Sequence, residues 1–308
     1  MATVFLGSGE FSRDLLTELL RSGYGITSVI TPQDRPAGRG LKLRPTAVKA
    51  LAEAEGLEVL QPSGPADSSF LDALRGTRPD VLLVADYGYV LPGTVLGFPS
   101  RGCVNVHPSL LPRYRGAAPI QRALMEGESE TGVTLMLMDE GLDTGPVIAS
   151  EKVAIEEEDD ALTLRGKLAL LGARLVLEEL PGFLSGKTVP RPQEEGHATY
   201  ADPIRKEEAA IDWTRDAMTI FNQVRALSPR PGAHTWLEGK RVKILRARPR
   251  QDVAAAPGKV AAAAGDALVV GAGEQALQVY ELQPEGRKVM GAGEFMRGYR
   301  ISEGDLFA

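Results

Sequence analysis

Three features of the sequence predict an α/β protein: a Rossmann-like, doubly wound, mostly parallel sheet, then a small C-terminal β-barrel of the OB-like kind. Short apolar runs alternate with amphipathic helical segments over the first 140 residues, a Pro-, Gly- and Glu-rich stretch without period spans 187–207, and short strands separated by turns come after it. The boundaries read from these features are 1–186 for the first domain, 187–207 for a linker and 208–308 for the second. With 308 residues, 43% of them hydrophobic, the chain is long enough to bury two cores.

Strands are expected at TVFLG (3–7), ITSVI (26–30), LEVL (57–60), DVLLVA (80–85), GCVNVH (102–107) and GVTLMLM (132–138). Between them, FSRDLLTELLRSG (11–23) and TAVKALAEAEG (46–56) space their apolar residues three and four apart, and Gly23 and Gly56 mark helix ends. Continuous apolar strands joined by helices indicate a sheet covered on both faces, with right-handed crossovers. Ligands of such sheets sit beyond the carboxyl ends of the strands. A long helical pattern covers 161–186 and another 214–227, and the later strands are AHTWLEG, KRVKILRARPR, GKVAAAAG, ALVVGAG and ALQVYELQPEG.

Composition narrows the function classes. The single cysteine, Cys103, excludes a disulfide framework and a thiolate metal cluster, and burial beside its strand is its expected fate. No signal or transit segment and no run of 18 apolar residues is present, so a cytoplasmic protein with no membrane partner is expected. The net charge is −6, unevenly spread: residues 1–200 hold 19 basic against 27 acidic side chains, and 201–308 hold 16 against 14. A mildly basic tail on an acidic body fits partial contact with a polyanion, and equally an ordinary fluctuation of composition.

Two motifs nearly match and are set aside. GSGEFS (7–12) follows the first strand as a dinucleotide fingerprint would, but Ser12 stands where the third glycine belongs. A nicotinamide dehydrogenase is therefore disfavoured. GFLSGKT (182–188) has three residues between its glycines where a phosphate loop has four, and reads as a helix end. His107, His197 and His234 are far apart, and no metal is predicted.

The stretch CVNVHPSLLPRYRG (103–116) carries the chemistry. Alternation along a strand puts Val104 and Val106 on one face and Asn105 and His107 on the other, at the carboxyl end. An isolated Asn-x-His is more often a cap and a satisfied surface histidine, but Pro108 and Pro112 stiffen the loop, and Ser109–Pro112 offer backbone and apolar groups to a flat ligand. In MDEGLDTGPVI (138–148), Gly141 and Gly145 bracket Asp143 in a turn expected at the same edge of the sheet. Asp143 is either an Asx-turn residue or the group that orients His107. Asn, His and Asp without a nucleophilic Ser or Cys suit acyl transfer to an amine, which needs an oxyanion donor and a proton carrier.

Together these residues resemble the 10-formyltetrahydrofolate-dependent formyltransferases, and among them the members that act on methionyl-tRNA. The resemblance rests on DRPAGRGLKLRPTAVK (34–49), VADYGYVLP (84–92), NVHPSLLPRYRGAAPIQ (105–121), GLDTG (141–145), IDW (211–213) and KRVKI (240–244), and spans nearly the whole chain. It implies transfer of the formyl group of 10-formyltetrahydrofolate, a co-substrate, to the α-amine of initiator methionyl-tRNA, with tetrahydrofolate released, for translation initiation. It assigns Asn105, His107 and Asp143 to catalysis, and Ser109, Leu110, Leu111, Pro112 and the stretch Tyr87, Gly88, Tyr89, Val90 and Leu91 to the folate. Gly9 departs from it, standing where the family has a Pro, which leaves the start of the first helix open.

The same three residues would serve a sugar-amine or glycinamide ribonucleotide acceptor. Accessory segments favour tRNA: the resemblance gives the loop carrying Arg35, Arg39, Lys42 and Arg44 to the acceptor stem, with Arg39 foremost. The later strand KRVKILRARPR brings Lys240, Arg241, Lys243, Arg246 and Arg248 with no acidic residue among them, as phosphate contacts require. A monomer is expected. A non-catalytic RNA-binding module is the remaining alternative, and it leaves Asn105, His107 and Asp143 unexplained.

Overall fold

The computed structural model describes residues 1–37 and 42–308, which form two compact units. The first comprises residues 1–119, 130–154 and 165–202, and the second 120–129, 155–164 and 203–308. The division thus differs from the linear one read from the sequence: most of the stretch 187–207 packs within the first unit, and two ten-residue segments from the middle of the chain belong to the second. Contacts, which composition does not reveal, decide the membership.

The first unit holds β1 (Thr3–Gly7), α1 (Glu10–Arg21), β2 (Ser28–Ile30), β3 (Arg35–Ala37), β4 (Lys42–Arg44), α2 (Ala47–Ala54), β5 (Glu58–Leu60), α3 (Ser68–Thr77), β6 (Val81–Ala85), α4 (Gly93–Leu96), β7 (Cys103–His107) and β8 (Arg115–Gly116). After α5 (Pro119–Met125) it continues with β9 (Glu130–Leu137), β10 (Val147–Ala154), most of α6 (Ala161–Leu184) and β11 (Tyr200–Ala201). Its seven-stranded sheet runs β10-β9-β7-β6-β1-β2-β5, parallel except for the antiparallel pairings of β9 with β7 and β10. The chain steps outward from β1 to β5 and returns to β6 on the other side of β1, so the strand order reverses between β1 and β6. A crevice opens at the carboxyl ends of strands at such a switch point.

Local sequence explains the elements. In α1 the residues Phe11, Ser12, Leu15, Leu16 and Leu19 are buried along one stripe, and the charged residues Arg13, Asp14 and Glu18 lie outside it. Thr46 caps α2 by accepting from the Lys49 amide at 3.0 Å, and Asp67 caps α3 from Ser69 at 2.9 Å. Val4, Leu6, Leu82, Val84 and Cys103 form one core with Phe70 and Leu74 of α3. Cys103 is fully buried there, and burial pushes its thiol up to about 12.

The second unit adds α7 (Ala217–Leu227), β12 (Ala233–Leu237), β13 (Lys240–Arg250), β14 (Val260–Ala264), β15 (Ala267–Gly271), β16 (Ala276–Pro284), β17 (Met290–Gly291) and α8 (Ala292–Tyr299). Its antiparallel sheet runs β12-β13-β16-β15-β14, with β17 on β16. The edges do not stay open. Phe307 donates to Gly258 at 2.8 Å and Val260 to Asp305 at 2.8 Å on the β14 side, and Trp236 of β12 exchanges bonds of 3.0 and 2.9 Å with Ala308. Residues 305–308 therefore join the two edge strands, which agrees with a barrel-like closure and removes exposed edges.

Arg122 and Glu208, both in this unit, form an ion pair at 2.5 Å, and the Arg205 amide donates to the same carboxylate at 2.9 Å. Chiefly through the Arg122 hydrogen bond, the Glu208 carboxyl falls from its ordinary 4.5 to about 2. A carboxyl lowered on folding stabilises above its ordinary value and loses that contribution as pH falls through the folded one. The unfolding midpoint in urea should accordingly drop between pH 4.5 and 2, and Glu208→Gln should flatten that part of the profile.

Candidate active site

The carboxyl end of β7 presents Asn105 and His107 on one face, with 8% and 4% of their surfaces exposed, while Val106 on the other packs toward α6 at Gly172. Asp143 reaches them by an unexpected route. Because β9 is antiparallel, its end at Leu137 lies opposite Val104, and the Met138 amide donates to the Cys103 carbonyl at 2.8 Å. The turn 138–146 therefore starts beside the beginning of β7, not at its carboxyl edge as the sequence suggests, and doubles back to bring Asp143 to the polar pair. Gly145 allows the return: a Cβ there would collide with the Leu137 carbonyl. Asp143 itself has a left-handed backbone, φ 53°.

The Asp143 carboxylate sits at the centre of the group. One oxygen accepts from Asn105 Nδ2 at 3.3 Å, and the other accepts from the Gly116 amide at 2.8 Å. That second oxygen faces His107 Nδ1 at 3.6 Å, a charge contact beyond hydrogen-bond length. His107 Nε2 lies 3.0 Å from the Tyr114 carbonyl, an acceptor only, so Nε2 is the donor in that bond. Asn105 has two amide hydrogens and Asp143 takes one, which leaves the other for a ligand oxygen. The arrangement can donate to a developing oxyanion and set a carboxylate against an imidazole that moves protons.

The folate-assigned residues fall on the two adjacent strand tips, β6 and β7. Tyr87 and Leu91 are core residues with 3% and 2% exposure, whereas Val90 is exposed and Gly88 has φ 81°. Any contact from Tyr87 and Leu91 is thus mainly through backbone. Ser109 is fully buried and its hydroxyl donates to the Arg113 carbonyl at 2.7 Å, while Thr134 donates to the Ser109 carbonyl at 2.7 Å and accepts from the Leu111 amide at 3.1 Å. Leu110, Leu111 and Pro112 are partly exposed.

The basic residues divide. Arg35 and Arg44 face each other across the β3–β4 hairpin, where like charges repel unless an anion joins them. Arg35 also donates to the Tyr89 hydroxyl and stacks over its ring, tying the hairpin to the β6 tip. Arg39 lies outside the described residues, and Lys42 belongs to β4. On β13, Arg241 pairs with Glu285, Arg246 with Glu281 and Arg248 with Glu157 and Glu158. The strand's own sequence omits these acids, which other segments supply. Lys243 has no acidic partner within ion-pair distance among the described residues, and burial together with Arg241 and Arg230 pulls its pKa down. Lys240 is exposed beside it.

The first loop is explained by Asp86. Its carbonyl accepts from the amides of Ser8 at 3.1 Å and Gly9 at 3.4 Å, the donors that a dinucleotide pyrophosphate would take. Its carboxylate lies against Gly9, where a Cβ would overlap it, so Gly9 and Asp86 occupy each other's space. Sequence reasoning missed Gly116, Tyr114 and Thr134, which act through backbone or from a different strand, and Gln193, which lies in the stretch read as a linker. Among the described residues no group of three or more His, Cys, Asp or Glu side chains could hold a metal ion. No helix among them is long and apolar enough to cross a membrane.

Comparison with known proteins places the chain in a family. A family model described as formyl transferase matches residues 1–180, and one described as formyl transferase, C-terminal domain, matches 203–300. The methionyl-tRNA formyltransferase of Caldanaerobacter subterraneus subsp. tengcongensis is 44% identical over 307 residues, covering 99% of both chains. That of Methylibium petroleiphilum is 46% identical over 306 residues, covering 96% of both. Among solved structures, HypX from Aquifex aeolicus in complex with tetrahydrofolic acid superposes with a TM-score of 0.67 at 22% identity, covering 99% of this chain and 50% of that one. The chain thus spans about half the length of the HypX structures it matches. The methionyl-tRNA formyltransferase from Clostridium thermocellum gives 0.55 at 17% identity, over 82% of this chain and 95% of that one. At such identities the two structures speak for the fold; with the first family model covering more than half of the sequence and relatives above 40% identity aligned over nearly all of it, the chain belongs to the formyl transferase family.

Proposed function

We propose that this chain transfers the formyl group of 10-formyltetrahydrofolate to the α-amine of methionine esterified to initiator tRNA, acting in the cytoplasm as a monomer. The observation that carries the reading is the meeting of Asn105, His107 and Asp143 at one strand tip, in a chain whose full-length relatives are methionyl-tRNA formyltransferases. The neutral α-nitrogen attacks the formyl carbon, and the free hydrogen of Asn105 Nδ2 meets the oxygen that becomes negative. The bond from the formyl carbon to N10 then breaks, and the proton lost by the α-nitrogen goes to N10. His107, between the Tyr114 carbonyl and Asp143, stabilises the negative oxygen electrostatically and helps move that proton. A free α-amine titrates near about 8 and an ester lowers that, so the neutral nucleophile is cheap to form. The folate's flat ring lies between the backbone of residues 87–91 and the segment 109–112.

For the tRNA, the facing Arg35 and Arg44 supply a site that an acceptor-stem phosphate would relieve of repulsion. Lys240 and Lys243 add charge in the second unit, and the family resemblance assigns Arg39 and Lys42 to the same stem. These groups position a backbone without reading bases. Formylation of charged tRNA should then lose about tenfold or more in kcat/KM between 50 and 200 mM salt, since each neutralised phosphate releases counterions. A rate indifferent to ionic strength would remove the polyanion from the account. The deciding experiment is an acceptor competition with one formyl donor and three amines: methionyl-tRNA, a 4-amino sugar nucleotide and glycinamide ribonucleotide. Preference for either small amine would overturn the tRNA reading while leaving formyl transfer intact.

A further inference from the structure

Asp143 is held in a left-handed backbone conformation, which is unfavourable for a non-glycine residue and persists only where its surroundings fix it. The groups that fix it come from residues 191–201. Gln193 Nε2 donates both of its hydrogens across the turn, to the Asp143 carbonyl at 2.8 Å and the Gly145 carbonyl at 2.7 Å. Its Oε1 accepts from Arg115 Nε at 3.1 Å and Nη2 at 2.8 Å, so the amide has one possible orientation. The Arg115 side chain is fully buried and grips Glu195 through two bonds of 2.9 and 2.7 Å. Arg115 itself precedes Gly116, whose amide holds the Asp143 carboxylate. Both residues pair with Tyr200 and Ala201 in the β8–β11 ribbon, and Arg191 exchanges backbone bonds of 2.7 and 2.8 Å with Val147 on the far side of the turn.

We propose that Gln193, oriented by Arg115 and Glu195, is a positioning residue that keeps the 138–146 turn in the one shape that presents Asp143 to Asn105 and His107. The idea rests on formyl transfer as the reaction. Gln193 touches no reacting atom and acts through the carboxylate. A buried arginine would be costly in a mere connecting segment, because its charge must be matched and its five donors satisfied. Here it orients an amide whose two hydrogens close the turn.

Gln193→Glu separates this role from packing. The new carboxylate still accepts from Arg115 but cannot donate to either carbonyl. The expected result is a folded protein with kcat lowered about 10- to 100-fold, as misplacement by about an ångström produces, and with KM for both substrates within about twofold of wild type. Combined with Asp143→Asn, Gln193→Glu should add almost nothing, because both changes remove the same placement. Hydrogen exchange of the peptide 138–147, measured without substrate, should be faster in Gln193→Glu. This readout tests the brace even if wild-type protein fails to formylate methionyl-tRNA, an outcome that would reject the functional reading instead. Unchanged kcat in folded Gln193→Glu, unchanged exchange of the turn, or fully additive effects with Asp143→Asn would each overturn the proposal. Should Gln193→Glu fold poorly, Glu195→Ala loosens the same arm from an exposed position; a several-fold loss of kcat at constant KM is then expected, and no loss refutes the brace.

Discussion

Replacing Asn105 by Ala should slow formyl transfer by about 100- to 1,000-fold, the usual cost of removing one oxyanion donor. The substitution deletes the Asn105 amide hydrogen that Asp143, holding its sibling at 3.3 Å, leaves uncommitted. The loss should fall on kcat, because the negative oxygen exists in the transition state and hardly at all in the bound substrate. Single-turnover assays on protein with unchanged far-ultraviolet dichroism would measure it. Activity within threefold of wild type would take Asn105 out of the chemistry.

The second large effect concerns stability. Phe307 is 3% exposed and packs against Trp213 and Phe295, with ring centroids at 6.3 and 6.4 Å. Its amide also joins residues 305–308 to the β14 side of the second unit. Phe307→Ala should cost about 3–5 kcal/mol, combining lost apolar transfer with the cavity left behind. That is a large share of a typical domain's stability of about 5–15 kcal/mol. The chain's two tryptophans, Trp213 and Trp236, both lie in this unit, so their fluorescence in urea follows its unfolding directly. A midpoint that does not move would mean that the terminal residues decorate the sheet without holding it.

What the sequence disclosed follows physical range. Period-two alternation showed that Asn105 and His107 share a face, and the glycines around residue 143 showed a turn at Asp143. Both signals are local. That the turn begins beside Cys103 was hidden, because the direction of β9 depends on its neighbours and not on its own apolar pattern. The same limit explains Gln193: its partners Arg115 and Asp143 are 78 and 50 residues away, and a Pro- and Glu-rich stretch looks like a connector until its hydrogen bonds are seen. On β13, counting basic residues along one strand concealed Glu281 and Glu285, which pairing with β16 brings alongside. Gly9 reads as an anomaly until Asp86, 77 positions later, is found in the space its side chain would need.

The interleaving of the two units sets terms for anyone dividing the gene. A fragment starting near residue 203 would lack segments 120–129 and 155–164, and with them Arg122, the partner of Glu208, and Glu157 and Glu158, the partners of Arg248. It would also expose the surface that Met125 covers. Chimeras that exchange the second unit between relatives should therefore carry both decapeptides along with it, and split-reporter or permuted versions should be cut elsewhere.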